Sequence, residues 1–460
     1  MAFAETTAPD ASLGSGVHRG LTPIVSAALF LEAMTISITA IAIPRMHQDL
    51  GVSLASLQWT HGAFIIGFAG LLLLGGRFAD LYGRRTVFLS AVVLFGLAGG
   101  AVAAAPSLTL LFVARGLQGA AAAFMIPAAM SILTEAFPDG PKRDQALSTF
   151  NAAGAAGFSA GLVIGGAVIE YLGWRWSFGL NLPVAMIIFA LGLFIIPSIR
   201  RAAVQKLDWI GAFMVVTALS LITLALTLTA EHGVTHIEIG LGLTAVLIGV
   251  LFVAFERGHP SPLLPLSLFA LPTLRMANLA SLTLLGAFFG LNILVNMALS
   301  VQHGLSALDA GLVLLPMGLL CVVVAQVVTP RLLQLFDLRF VGAAGLTMIA
   351  AAAIILSSAG QDADVLTLAG AATLAGGIGM GLAYAPLAIE AVRGVEAKDQ
   401  GVAAGLQQTL LQIGGVLGIA LTVIADTVVP GVGGYAVSVV LALIGTVIFC
   451  ARSRHSRVSE

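Results

Sequence analysis

The stretch Gly75-Gly76-Arg77-Phe78-Ala79-Asp80-Leu81-Tyr82-Gly83-Arg84-Arg85 joins two long apolar runs, 58–78 and 86–106. An acid at the C-terminal end of a helix faces the negative pole of the backbone dipole. Asp80 therefore needs cations, and Arg84 and Arg85 follow within about one turn. Gly83 lacks a Cβ and permits a tight reversal between them. The residues describe a short charged turn between two helices; a basic loop with one incidental acid is the blander alternative.

Each flanking run holds about 20 residues, enough at ~1.5 Å per residue to cross a ~30 Å hydrocarbon core. Carried outward, the same test finds fourteen spans: 21–44, 58–78, 86–106, 108–133, 146–170, 177–198, 208–230, 236–255, 275–299, 309–329, 339–358, 364–391, 401–427 and 432–451. Of the 460 residues, 59% are hydrophobic and 9% charged, whereas a soluble domain carries about 25% charged residues. Lipid is the solvent that suits such a chain. Leu21 to Pro44 is too long for a signal-peptide core and counts as the first span. Cys321 and Cys450 lie in apolar runs and suggest no disulfide framework. A net charge of −1 makes no electrostatic case for nucleic acid.

Basic residues test the count, because cytoplasmic loops collect Lys and Arg. With both termini inside, the inner segments hold 18 of the 21 Lys and Arg, the outer loops hold Arg45 and Arg175, and Arg115 lies within a span. One missed helix would reverse every later loop and destroy that bias. The layout is a tail over 1–20, a six-helix bundle over 21–198, and a linker with spans seven and eight over 199–274. A second six-helix bundle over 275–451 and a tail over 452–460 follow. The expected product is an all-α, multi-pass plasma-membrane protein, a monomer with the bilayer as its main partner.

The opening segment resembles the loop signature of the major facilitator superfamily, roughly G-x-x-A-D-x-x-G-R-R. Pro44 with Asp49-Leu50-Gly51 and Gln58-Trp59 resembles the approach to span two in its fourteen-span drug–proton antiporters. Arg115-Gly116-Leu117-Gln118-Gly119, Trp174-Arg175-Trp176-Ser177-Phe178 with Asn181 and Pro183, and Asp208-Trp209-Ile210-Gly211 resemble further motifs of that family. The resemblance implies two six-helix bundles plus a two-helix insert. It also makes Asp80, Gly83, Arg84 and Arg85 a conformational latch between the halves. Two departures stand out. The family's span-one aspartate position is Thr35 here, with Glu32 about one turn earlier. The export-linked span-five motif retains Gly157, Gly161, Gly165 and Gly166 but has Leu162 in place of its proline, so no kink is expected there.

A charge in mid-bilayer is costly and marks function by default. Glu32 lies roughly 17 Å from the inner face at ~1.5 Å per residue, and Arg115 roughly 10 Å from the outer face, which puts the two near one depth. Burial favours the protonated acid and a nearby arginine the ionised one. Opposed influences of that kind let conformation decide whether a proton is held, so Glu32 and Arg115 are the proton-coupling candidates; a static buried ion pair is the alternative. Asp208 and Asp309 read as helix N-caps, and Glu390 as a gate or snorkelling residue.

His61, Asn292, Asn296, Gln302, Gln407, Gln408 and Gln412 are candidates for a substrate cavity, with interhelical hydrogen bonding as the alternative. Phe64, Phe68, Met125, Phe288 and Phe289 would suit a greasy one. No metal-spaced cluster and no G-x-x-x-x-G-K-[ST] loop occurs, so neither an enzyme, a metal, a cofactor nor ATP is implied. The favoured function is proton-coupled efflux of hydrophobic or cationic small molecules. A transporter of one metabolite and a non-transport membrane protein or channel are the alternatives.

Overall fold

The computed structural model describes residues 15–57, 59–137, 140–197, 208–233, 235–259, 262, 264, 266–395 and 400–451. Residues 1–14, the linker residues 198–207 and the tail 452–460 fall outside them, as do Gln58, Pro260, Pro265 and Lys398. In lipid each backbone polar group must be satisfied within its own segment, so apolar runs of this length become helices. They are α1 (Ser15–Leu50), α2 (Trp59–Tyr82), α3 (Arg84–Ala104), α4 (Leu108–Ala136), α5 (Pro141–Leu172), α6 (Trp174–Ile195), α7 (Trp209–His232) and α8 (His236–Gly258). There follow α9 (Pro272–Gln302), α10 (Ala307–Leu335), α11 (Leu338–Asp362), α12 (Val365–Val392), α13 (Gln400–Val428) and α14 (Gly433–Cys450). Thirteen are long and apolar enough to cross a bilayer unaided. The fourteenth, α2, bends by 56° between Leu72 and Leu74.

Helix ends follow local chemistry. Ser107 accepts from the Leu110 N–H at the start of α4, and Asp208 from the Gly211 N–H at the start of α7. Asp208 is thus the N-cap expected of it. Asp309 is not: Ser306 caps α10, and Asp309 sits inside the first turn, accepting from the Ser306 hydroxyl. Gly83 turns α2 into α3 at φ 96°, a conformation that favours glycine. At the other end of the bundle α1 runs through Pro44 to Leu50, beyond the end the sequence suggested. Its start at Ser15 also takes in residues expected in the tail.

The two halves repeat one pairing scheme. In the first, α1 packs on α5 and α3 on α6; in the second, α9 packs on α13 and α11 on α14. The charges repeat too. Arg84 at the start of α3 bonds Glu135 near the end of α4, and Arg339 at the start of α11 bonds Glu390 near the end of α12, each across 51 residues of chain. Such duplication is a known transporter plan. Between the halves, α7 lies against both α2 and α13, and α8 against α7.

Small residues let the helices approach closely, as packing in lipid demands. A methyl group on Gly119 would overlap the Phe64 carbonyl across the α2–α4 contact. Gly157 and Gly161 are held as tightly against Phe30 and Met34 of α1. Gly119→Leu should force α2 from α4 and cost roughly 1–3 kcal/mol or more. Gly249→Leu, on α8 with open space before it, should leave the thermal unfolding midpoint in detergent unchanged.

Candidate transport site

Arg115 of α4 is completely buried. Its Nε donates to the Thr60 carbonyl at 2.7 Å, one terminal nitrogen to Gln118 Oε1 at 2.7 Å, and the other to Thr39 Oγ1 at 3.0 Å. The guanidinium also lies 4.7 Å from the Phe64 ring centroid and 5.3 Å from that of Phe178. Neutral oxygens and aromatic faces from α1, α2, α4 and α6 hold this cation. Thr35, where the family keeps an acid, is buried against Asn181 Oδ1 at 2.9 Å and the Leu31 carbonyl at 2.8 Å. One hydroxyl proton serves only one of these acceptors. Turning the Asn181 amide over lets its otherwise unpartnered Nδ2 donate to Thr35.

Glu32 is buried, and among the described residues it makes no ion pair or hydrogen bond. It does not reach Arg115. The arginine is tied to Thr39, seven residues further along α1 and so ~10 Å away along the helix axis. Arg115 is therefore level with Thr39 and not with Glu32, so the common depth inferred from the span bounds does not hold.

Between the halves lies a small, partly open cavity. Ile36, Ala40 and Ile43 of α1, His61 of α2 and Phe158 of α5 form one wall; Phe289, Asn292 and Ile293 of α9 and Ile419 of α13 form the other. His61 packs edge-on against Phe289, ring centroids 5.3 Å apart. The halves touch where α5 meets α10, with Gly311 on the Leu162 carbonyl, Gly318 on Ser159 and Gly166 on the Ala307 carbonyl, and again where α2 packs on α13. Leu162 is fully buried within α5, which runs as one helix from Pro141 to Leu172.

At the Asp80 end Arg84 and Arg85 bond within the first half, and Glu390 within the second. Arg84 bonds Asp80 at 3.0 Å, the Ser131 carbonyl at 3.3 Å and Glu135; Arg85 reaches the Leu193 carbonyl at 2.5 Å. Buried Glu390 takes Arg339 at 2.6 Å and Arg393 at 3.5 Å. These arginines pair off Glu390, so it neither snorkels nor bridges the halves.

The sequence model of the Major Facilitator Superfamily matches residues 25–419. The chain belongs to this superfamily. It is 36% identical over 401 residues to a cephamycin export protein of Amycolatopsis lactamdurans, covering 85% of this chain and 82% of that one. A puromycin resistance protein of Streptomyces alboniger is 32% identical over 405 residues, covering 86% and 80%. Among solved structures, the human organic anion transporter MFSD10 aligns with a TM-score of 0.66 at 16% identity, over 94% of this chain and 99% of that one. A POT family peptide transporter aligns at 0.69 and 16%, over 94% of each. At such identities the likeness is one of fold: this is a non-enzymatic membrane transporter with the major facilitator architecture.

Within that architecture the sequence-derived residues separate. His61 and Asn292 line the cavity, and Phe289 does as well. Asn296 bonds Asn292 at 2.9 Å behind the wall, Gln407 bonds Ser281 at 3.0 Å, and Gln408 accepts from the Tyr384 hydroxyl at 3.1 Å. Gln412 is buried away from the cavity, and Gln302 is exposed at the end of α9. Phe64 packs beneath Arg115, within the first half. The apolar wall residues Ile36, Ala40, Ile43, Ile293 and Ile419 carry no chemical signature, and sequence reasoning missed them. Arg339→Met would leave buried Glu390 with only the long, exposed Arg393 contact and should cost about 3–5 kcal/mol. The double variant R339M/E390M should unfold at a higher temperature than the single one.

Proposed function

We propose that this transporter is a proton-driven exporter that moves small apolar molecules by alternating access at the cavity between its halves. One observation carries the reading: Glu32, a buried acid without a bonded partner, stands four residues from Ile36 of the cavity wall. That spacing puts the two on one face of α1, a single turn apart. A proton held on Glu32 and a molecule in the cavity are therefore neighbours. A carboxyl with no fixed partner is free to change its charge as its surroundings change.

The export direction is supported by relatives named for cephamycin export and for puromycin resistance. On this reading the Asp80 end faces the cytoplasm of a bacterial plasma membrane, the termini lie inside, and the protein works as a monomer. The structure is then closed outward, with the Asp80 latch disengaged from the second half. Residues 21–198 and 275–451 are the rocking bundles, and 199–274 is the insert between them. A dedicated exporter of one natural product would use the same site.

In proteoliposomes Glu32→Gln should abolish uphill, proton-driven efflux while leaving counterflow and the melting temperature close to those of the parent. Undiminished uphill efflux by this variant would remove Glu32 from the mechanism.

A further inference from the structure

We infer that the cavity is built for an uncharged, largely apolar molecule that presents one hydrogen-bonding group to His61, and that it discriminates against permanent cations. The inference rests on the reading of this cavity as the transport site, and names its substrate class.

Among the described residues that line the cavity, seven are apolar and two, His61 and Asn292, are polar. Asn292 is already engaged: its Nδ2 lies 3.7 Å from Met317 Sδ, and its Oδ1 accepts from Asn296 at 2.9 Å. His61 is not. It is 8% exposed, and its Nε2 is buried without a partner. A buried polar atom left unpaired costs about 1–3 kcal/mol. A molecule that supplies the missing partner recovers that cost, and one that cannot do so leaves it standing. An apolar pocket with one convergent polar group is how small-molecule sites set orientation.

The fixed charge behind this wall is positive. Arg115 bonds the carbonyl of Thr60, the residue before His61, and the hydroxyl of Thr39, the residue before Ala40. No carboxylate lines the cavity among the described residues; Glu32 lies one turn beyond Ile36 on α1. A permanent cation entering here would lose its hydration beside a guanidinium and find no counter-ion within contact. Like charges in a medium of low dielectric repel strongly. An uncharged body pays neither penalty, and its hydroxyl, amide or carbonyl can meet the imidazole.

The test is equilibrium binding to the purified full-length protein in lipid nanodiscs, with two probes. Chloramphenicol is uncharged and carries hydroxyl and amide groups; tetraphenylphosphonium is a permanent cation with none. Chloramphenicol should bind the more tightly. His61→Phe, which keeps the ring but not its nitrogens, should weaken it about five- to tenfold. His61→Gln should restore most of the affinity, and neither variant should lower the melting temperature or weaken cation binding. Tighter cation binding, absent chloramphenicol binding, or a His61→Phe variant that binds chloramphenicol normally would overturn the inference. Counterflow separates the two claims. If the probes bind as stated but are not carried, the transport reading fails and the binding class stands. If the cation is carried and His61→Phe is silent, the class fails and transport stands.

Discussion

A guanidinium sealed inside a membrane protein needs a partner at each of its nitrogens, because lipid and packed side chains offer no water to make up a deficit. Arg115 meets that demand with oxygens from three helices and ring faces from two. Of the helices concerned, α1, α2 and α4 cannot move relative to one another without breaking a bond to a buried charge, and α6 lays a ring against it. That stiffens the first half about Arg115. No carboxylate neutralises the arginine by contact, so Glu32, further along α1, is left without a bonded counter-ion. The stiffened half and the free acid have the same origin.

The contacts between the halves have the opposite character. They are van der Waals contacts at Gly166, Gly311 and Gly318 and along α2 and α13, with no ion pair across them among the described residues. At the far end Arg84 and Glu390 are satisfied inside their own bundles. Rocking one bundle over the other exchanges one set of small-residue contacts for another and leaves the buried charges intact. Strong polar bonding within each half, with apolar sliding surfaces between halves, is what alternating access needs.

Much of this was legible in the residues. Span lengths gave most helices nearly to their ends, because hydrocarbon thickness dictates how long an apolar run must be. The Asp80 turn declared its chemistry through an acid at a helix end. Pro44 misled about where α1 ends, since a proline that would stop a soluble helix is tolerated in a membrane one, and the counting of depths missed that Arg115 pairs with Thr39, two turns from Glu32. The partners of Arg115 are a backbone carbonyl, a hydroxyl and an amide, none of which stands out in a sequence. The cavity wall is mostly isoleucine and phenylalanine, indistinguishable by composition from lipid-facing residues. Only packing tells them apart.

Coupling between the proton and the rocking of the halves is tested most directly by distances measured at both ends of the bundle. Spin labels at exposed Thr149 and Leu335 report on the Asp80 end, and labels at exposed Tyr171 and Val301 on the other, with Cys321 and Cys450 replaced beforehand. Alternating access driven from Glu32 predicts that a change of pH shortens one distance as it lengthens the other, and that Glu32→Gln holds both fixed across the same range. Distances that ignore pH in the parent, or that still respond in Glu32→Gln, would contradict it.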